Sequence, residues 1–394
     1  EISNAYQFTS RQAPEFTVSG IELLADERTL ERDYLEVSRF DTYSHLLETN
    51  IVGRFNTGSI EHELLAGVEI SFDRSPGEGS FGLANSIDLF SPDDDELVLE
   101  PIDDVFQDEF SNRSLGIYLQ DRIDILDNLT LLLGGRFDIA TTRFEDFVFE
   151  ESDFQQEEEF SPRVGIVYQP IPELSLYSSY SRSFIPNFFE RGRNGEIFDS
   201  QRGNQFEIGA KADINDKLSL TLAYFDLSIT NVPTSDPENT FFSIVTGRQR
   251  SQGVDLLASG EILPGWNIIG GYTYNDARVT EDTDISIGNR IPNNPAHSAS
   301  LFSSYEIQQG SFQGLGFGLG LFYVGERAGD LDNTFDVPSY VRTDALLSYK
   351  RGGFRTALNF ENLFDIDYFD NAEDELRVRP GAPFAVRASV SWDF

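Results

Sequence analysis

The sequence predicts an all-β protein, an antiparallel transmembrane β-barrel of outer-membrane type with about 16 strands in its 394 residues. Three observations carry this reading. Apolar and polar residues alternate with period two in one segment after another, as in strands whose two faces meet different media. Short turn-like connections alternate strictly with long acidic ones. No stretch approaches the roughly 18 consecutive apolar residues of a spanning helix, whereas a barrel strand needs only about 9 to 11 residues, half of them apolar.

In chain order the predicted strands are Ser3 to Thr9, Tyr34 to Phe55, Ile60 to Asp73, Ser111 to Ile125, Leu129 to Thr142, Phe160 to Gln169, Leu174 to Phe184 and Gln205 to Asp213. Leu218 to Thr230, Gln249 to Ile262, Trp266 to Val279, Ala296 to Gln308, Gly314 to Gly325, Tyr340 to Tyr349, Phe354 to Leu363 and Ala382 to Phe394 follow. The last is the plainest: Phe384, Val386, Ala388, Val390, Trp392 and Phe394 share one face, and Arg387, Ser389, Ser391 and Asp393 the other. Phe206, Ile208, Ala210 and Ala212 oppose Gln205, Glu207, Lys211 and Asp213 in the same way. Leu315, Phe317, Leu319, Leu321 and Tyr323 face away from Gly314, Gly316, Gly318 and Gly320, whose small lumenal side would let a plug or a permeant approach closely.

The short connections are Asn56 to Ser59, Asp127-Asn128, Asn215 to Lys217, Leu263 to Gly265 and Arg351 to Gly353. The long ones include Arg74 to Phe110 and Glu281 to Pro295 and are expected to be loops, as are the acidic runs Asp93 to Glu96 and Glu157 to Glu159. Short periplasmic turns opposite long extracellular loops orient the barrel and send the last strand down to the periplasm. Aromatic residues near strand ends, among them Tyr272, Tyr274, Tyr323, Tyr349, Phe364, Tyr368, Phe369 and Trp392, suit interfacial girdles.

Composition excludes several classes. The chain has no cysteine, which removes disulfides, thiolate metal sites and thiol nucleophiles, and its net charge of −38 argues against a nucleic-acid surface. His45, His62 and His297 lie far apart in sequence and outside any metalloprotease or triad motif, so they read as solvated strand or turn residues and no enzyme is expected. The acidic stretch Asp88 to Glu109 lacks the spaced ligands of a calcium loop and suits solvation or bridging to lipopolysaccharide through divalent ions. The chain contains no methionine and starts at Glu1, the expectation for a processed chain or a fragment.

Phe160 to Pro170 followed by Leu174 to Phe184 resembles the mid-barrel hairpin of TonB-dependent siderophore receptors. Leu133 to Asp138, Asn204 to Gly209, Gly253 to Asp255, Gly270 to Tyr274, Asn359 to Asp365 and Trp392 to Phe394 agree in order, and Phe55 to Glu69 resembles the ferrichrome-type, ferric-hydroxamate branch. The resemblance implies a barrel of about 22 strands, plugged by an N-terminal domain that a TonB-binding box precedes. Against that plan the chain shows no candidate plug, no box and about six strands fewer, so residues 1–394 are expected to form one N-terminally truncated barrel domain. The alternative is a 16-strand barrel closed like a porin, acting as a passive diffusion channel.

Parity turns Arg136, Arg163, Glu207, Lys211, Asp255, Arg342, Asp344, Arg355, Glu361 and Arg387 towards the lumen, where they would meet a plug through rearrangeable salt bridges. A charge on the lipid face would cost about 2 to 4 kcal/mol near the midplane, so an inward register is expected of any barrel. The resemblance further implies a siderophore pocket lined by aromatics. Parity and strand direction pick out Tyr118, Phe225 and Phe322 for it, with Arg342 as a cation near the mouth. The implied partners are a ferric siderophore, outer-membrane lipid and lipopolysaccharide, and the TonB complex, with no nucleic acid and a monomeric chain. The implied location is the outer membrane of a Gram-negative-type bacterium. Iron is cargo held by its chelator, and no cofactor is expected.

Overall fold

Every ladder among the described residues is antiparallel, as period-two segments joined by tight turns demand. The computed structural model describes residues 1–92, 97–187, 192–195, 198–215, 217–236, 239–282 and 285–393. Its strands are β1 (Ile2–Gln12), β2 (Glu15–Leu23), β3 (Thr29–Thr57), β4 (Ile60–Asp88), β5 (Leu99–Leu126), β6 (Leu129–Asp146), β7 (Glu151–Ile171), β8 (Leu174–Ile185), β9 (Gln201–Asn215) and β10 (Leu218–Asp236). They continue as β11 (Asn239–Leu263), β12 (Trp266–Glu281), β13 (His297–Glu306), β14 (Leu315–Val324), β15 (Arg327–Ala328), β16 (Asp336–Val337), β17 (Tyr340–Arg351), β18 (Phe354–Glu361), β19 (Phe369–Asp374), β20 (Arg377–Pro380) and β21 (Ala385–Trp392).

Seventeen of these strands form one sheet. β1 and β2 both pair with β3, one from Ile2↔Ile51 to Gln12↔Asp41 and the other from Glu15↔Val37 to Leu23↔Leu30. They are two lengths of a single stave, interrupted at Pro14, which has no N–H for the ladder. Counted this way the sheet has the 16 staves the alternation predicts. Each pairs with its neighbours in sequence, ending in β17–β18 and β18–β21. Among the described residues no ladder joins β1 to β21, so the porin-like closure is not formed. Phe394 of the last predicted strand lies outside the described residues.

The turns between β3 and β4, β5 and β6, β7 and β8, and β11 and β12 are two residues long and gather at one end. Gly58 (φ 67°) and Gly265 (φ 81°) supply left-handed backbone there. At the other end the structure corrects the sequence reading. Most of Arg74 to Phe110, expected to be a loop, is strand: β4 runs to Asp88, β5 starts at Leu99, and their ladder extends to Ala84↔Leu99. Glu157 to Glu159 lie inside β7, and β2 was not predicted at all. Above the membrane both sheet faces meet water, so no apolar alternation marks these strands. The run Asp93 to Glu96 lies outside the described residues.

A single-layer sheet has no interior. Val68, Ile117, Phe137 and Phe160 form one row across β4–β7 and are 39 to 54 % exposed on the outer, lipid-facing side. The most buried side chains lie instead towards strand ends and in the long connections: Ser75, Ser200, Val279, Arg327, Val337 and Asn362 are at most 2 % exposed.

Candidate functional site

The register fixes one continuous polar face. Directly opposed residues point to the same side, so Gly67, Tyr118, Arg136 and Ser161 form a row beside the apolar row. Arg163, two residues beyond Ser161, opposes Ser181, and Ser181 opposes Gln205, which shares its face with Glu207 and Lys211. Phe225 lies between Glu207 and Gly253, two residues before Asp255. Asp255, Thr273, Ser298 and Val324 carry the face to Phe322, which opposes Arg342. Asp344, Glu361, Arg355 and Arg387 follow from the β17–β18 and β18–β21 registers.

Most of these charges are held within the wall. Arg136 binds Glu69 and Asp138, each at 2.7 Å. Arg342 reaches Asp344 at 3.1 Å, Arg355 reaches Asp393 at 2.8 Å, and Arg387 reaches Glu361 at 3.4 Å. The Tyr177 hydroxyl donates to Glu207 at 2.6 Å and Thr273 to Asp255 at 2.7 Å.

The four aromatic and cationic candidates fall into three places. Phe322 and Arg342 do meet: the guanidinium carbon lies 4.9 Å from the ring centroid. Tyr118 belongs to another cluster. Its hydroxyl is 2.8 Å from Glu48 Oε1 and 2.5 Å from Asn50 Oδ1, and Arg136 covers its ring at 5.5 Å. The ring lies over Gly67, where an added Cβ would fall 2.3 Å from it. Phe225 stands apart and covers Gly253.

Two further aromatics belong to the face and escaped the sequence reading. Phe302 opposes Gly320, and its ring covers Gly318, so the room left by these glycines is filled by Phe302 and Phe322 and is not open to a plug or permeant. Parity against Gly320 could have found it. Tyr368, expected in a girdle, is 9 % exposed and packs on Tyr340 with ring centroids 4.4 Å apart. Its connection folds inward, which no local pattern signals.

Asparagines and one arginine tie the connections above this site together. Arg327, 2 % exposed, donates to the carbonyls of Phe369 (2.9 Å) and Asp370 (2.7 Å). Asn293 bonds both backbone groups of Ala372, at 2.7 and 2.9 Å, and Asn333 bonds both of Arg290, at 2.9 and 2.8 Å. Asn293, Asn333 and Asn362 adopt positive φ of 59°, 57° and 48°, a conformation asparagine tolerates best after glycine. The histidines lie on strands, His297 exposed and His45 and His62 half-buried, and each meets one polar side chain: His45 meets Tyr6 at 2.9 Å, His62 meets Asp121 at 2.8 Å and His297 meets Tyr272 at 2.8 Å.

Residues 2–363 match the family model described as TonB dependent receptor-like, beta-barrel. The chain is 34% identical over 392 residues to the metal-pseudopaline receptor CntO of Pseudomonas aeruginosa, covering 94% of this chain and 54% of that protein. It is 32% identical over 361 residues to the ferrichrome outer membrane transporter/phage receptor of Escherichia coli, covering 88% of this chain and 48% of that one. The siderophore receptor PiuA from Acinetobacter baumannii superposes with a TM-score of 0.84 at 24% identity, over 99% of this chain and 62% of that structure. The chain therefore spans about half the length of the relatives it matches.

Proposed function

Because the chain belongs to the TonB-dependent receptor-like β-barrel family, we propose that it forms the membrane wall of an outer-membrane receptor that takes up ferric siderophores with energy delivered through TonB. The family match carries this reading, and the relatives are receptors and transporters, not enzymes. A passive diffusion channel draws no support from them. The geometry agrees with a gated wall. The apolar side is continuous and suits lipid, while the polar side carries exposed ion pairs, Arg355 with Asp393 and Arg387 with Glu361, that can exchange partners at little net cost.

In this reading Phe322, Arg342 and Tyr368 offer an aromatic and cationic contact for the chelate near the extracellular mouth, Tyr118 and Phe225 offer others, and the remaining lumenal charges face a plug. The ferrichrome-type branch is the nearest expectation for the ligand, and lipopolysaccharide surrounds the outer rim. The test is titration of the full-length protein in detergent with ferrichrome, read by intrinsic tryptophan fluorescence, to which Trp266 and Trp392 contribute. Saturable quenching is expected. Absence of quenching together with a steady open-pore conductance in planar bilayers would overturn the reading.

A further inference from the structure

The wall built by β5–β8 carries a groove that the contacts above leave unoccupied. Two adjoining cavities of about 340 and 400 Å³ share Arg136, Ser161 and Arg182 in their walls. The first also contains Tyr118 and Arg163, and the second extends to Asn112. The second forms where the β7–β8 ladder has ended at Arg163↔Ser181, so that the chain leaving β8 faces β5 and β6 without pairing to β7.

Three polar groups in this groove have nothing to bind. Arg163 has no ion-pair or hydrogen-bond partner among the described residues. Arg182 gives one terminal nitrogen to Glu159 at 2.7 Å, but its buried Nε has no acceptor. Asn112 is 8 % exposed and its Oδ1 has no donor. Arg163 is exposed to the groove, whereas buried groups such as Arg182 Nε and Asn112 Oδ1 are almost always satisfied in folded proteins, so two such orphans beside an unpaired cation point to a ligand. Charge says which. The walls of the two cavities carry three arginines against a single carboxylate, Asp138, and that one is held by Arg136 at 2.7 Å. Glu69 also holds Arg136 and Glu159 holds Arg182, so of the three arginines Arg163 is the one without a carboxylate, in a chain of net charge −38.

Resting on the receptor reading above, we propose that this groove is a subsite for a carboxylate-bearing metal chelate. A ligand carboxylate sits on Arg163 and on Arg182 Nε, and a neighbouring hydroxyl or amine N–H of the same ligand donates to Asn112 Oδ1. Guanidinium donors suit a planar carboxylate better than an ammonium does, and a partly enclosed site strengthens the pair. Arg136 is committed to Glu69 and Asp138 and serves as fixed wall. A chelate without net charge gains nothing from the two arginines.

Isothermal titration calorimetry on the full-length protein, with ferric citrate and with an uncharged ferric trihydroxamate as probes, tests this. The double variant Arg163→Gln/Arg182→Gln is expected to weaken ferric citrate roughly tenfold or more and the trihydroxamate less than about twofold. Arg182→Lys retains the charge but loses Nε and should fall between. Equal weakening of both probes, or ferric citrate unchanged, overturns the subsite. So does a lowered melting midpoint of the unliganded double variant with both affinities intact, the signature of arginines serving a protein contact. If the wild type binds the trihydroxamate but not ferric citrate, the subsite fails and the receptor reading stands; if it binds neither, both fail.

Discussion

Tyr118 reaches across two staves to bond Glu48 and Asn50 through its hydroxyl. Its parity puts it on the polar face, and the register agrees. Its partners, Glu48 and Asn50, are about 70 residues away in sequence on β3, two staves off, and no local pattern announces them. What lets the ring reach them is the missing side chain at Gly67 on the intervening strand. Gly67→Val should push the ring off both oxygens and destabilise the barrel by about 1 to 3 kcal/mol, the usual range for overpacking, measured by urea unfolding in detergent. Val in place of Gly53, where an added Cβ meets nothing within 4 Å, should leave the unfolding midpoint unchanged.

At the scale of strands and connections, legibility follows the solvent. Within the membrane one face meets lipid and the other water, so β6, β9 and β14 are written plainly in alternating side chains. Where β4 and β5 rise above it, that contrast ends while the ladder continues, and aromatic pairs such as Phe81 with Phe106, 5.3 Å apart, replace it. The connections of the last quarter are different again. They hold together through Arg327, Asn293 and Asn333, single residues bonded to backbone far along the chain. Arg327→Met should leave buried carbonyls at Phe369 and Asp370 without donors, a cost of about 2 to 5 kcal/mol local to these connections. Limited proteolysis checks it: cleavage should accelerate within residues 362–384 and stay at the wild-type rate within the β3–β4 turn. Unchanged cleavage throughout would show that the block is held by packing alone.

At the scale of the whole molecule, the first edge of the sheet meets the β19–β20 hairpin, a separate two-stranded sheet, without pairing to it. β2 and the β19–β20 hairpin line one cavity of about 660 Å³ that contains Asp33 and Arg377. Burial there raises the Asp33 carboxyl above its ordinary range, and Arg377 offsets this only in part. The cost of holding Asp33 charged is therefore absent below the unfolded value near 3.8, appears as pH rises through the interval, and is full above the folded value. Asp33→Asn should raise the melting midpoint at pH 7 and leave it unchanged at pH 3. A lowered midpoint at pH 7 would show that the attraction of Arg377 outweighs burial.

The 16 staves were legible from alternation alone, and the order of the family-like segments pointed to the matching family. What the staves surround was not, because lumenal parity sorts side chains without saying what they touch. The proposed activity is uptake of a ferric siderophore driven through TonB. It is tested most directly by accumulation of radiolabelled iron, supplied as a ferric siderophore, in cells that express the full-length protein with and without functional TonB. Accumulation that requires both the protein and TonB is the predicted result; equal accumulation when TonB is absent would contradict it.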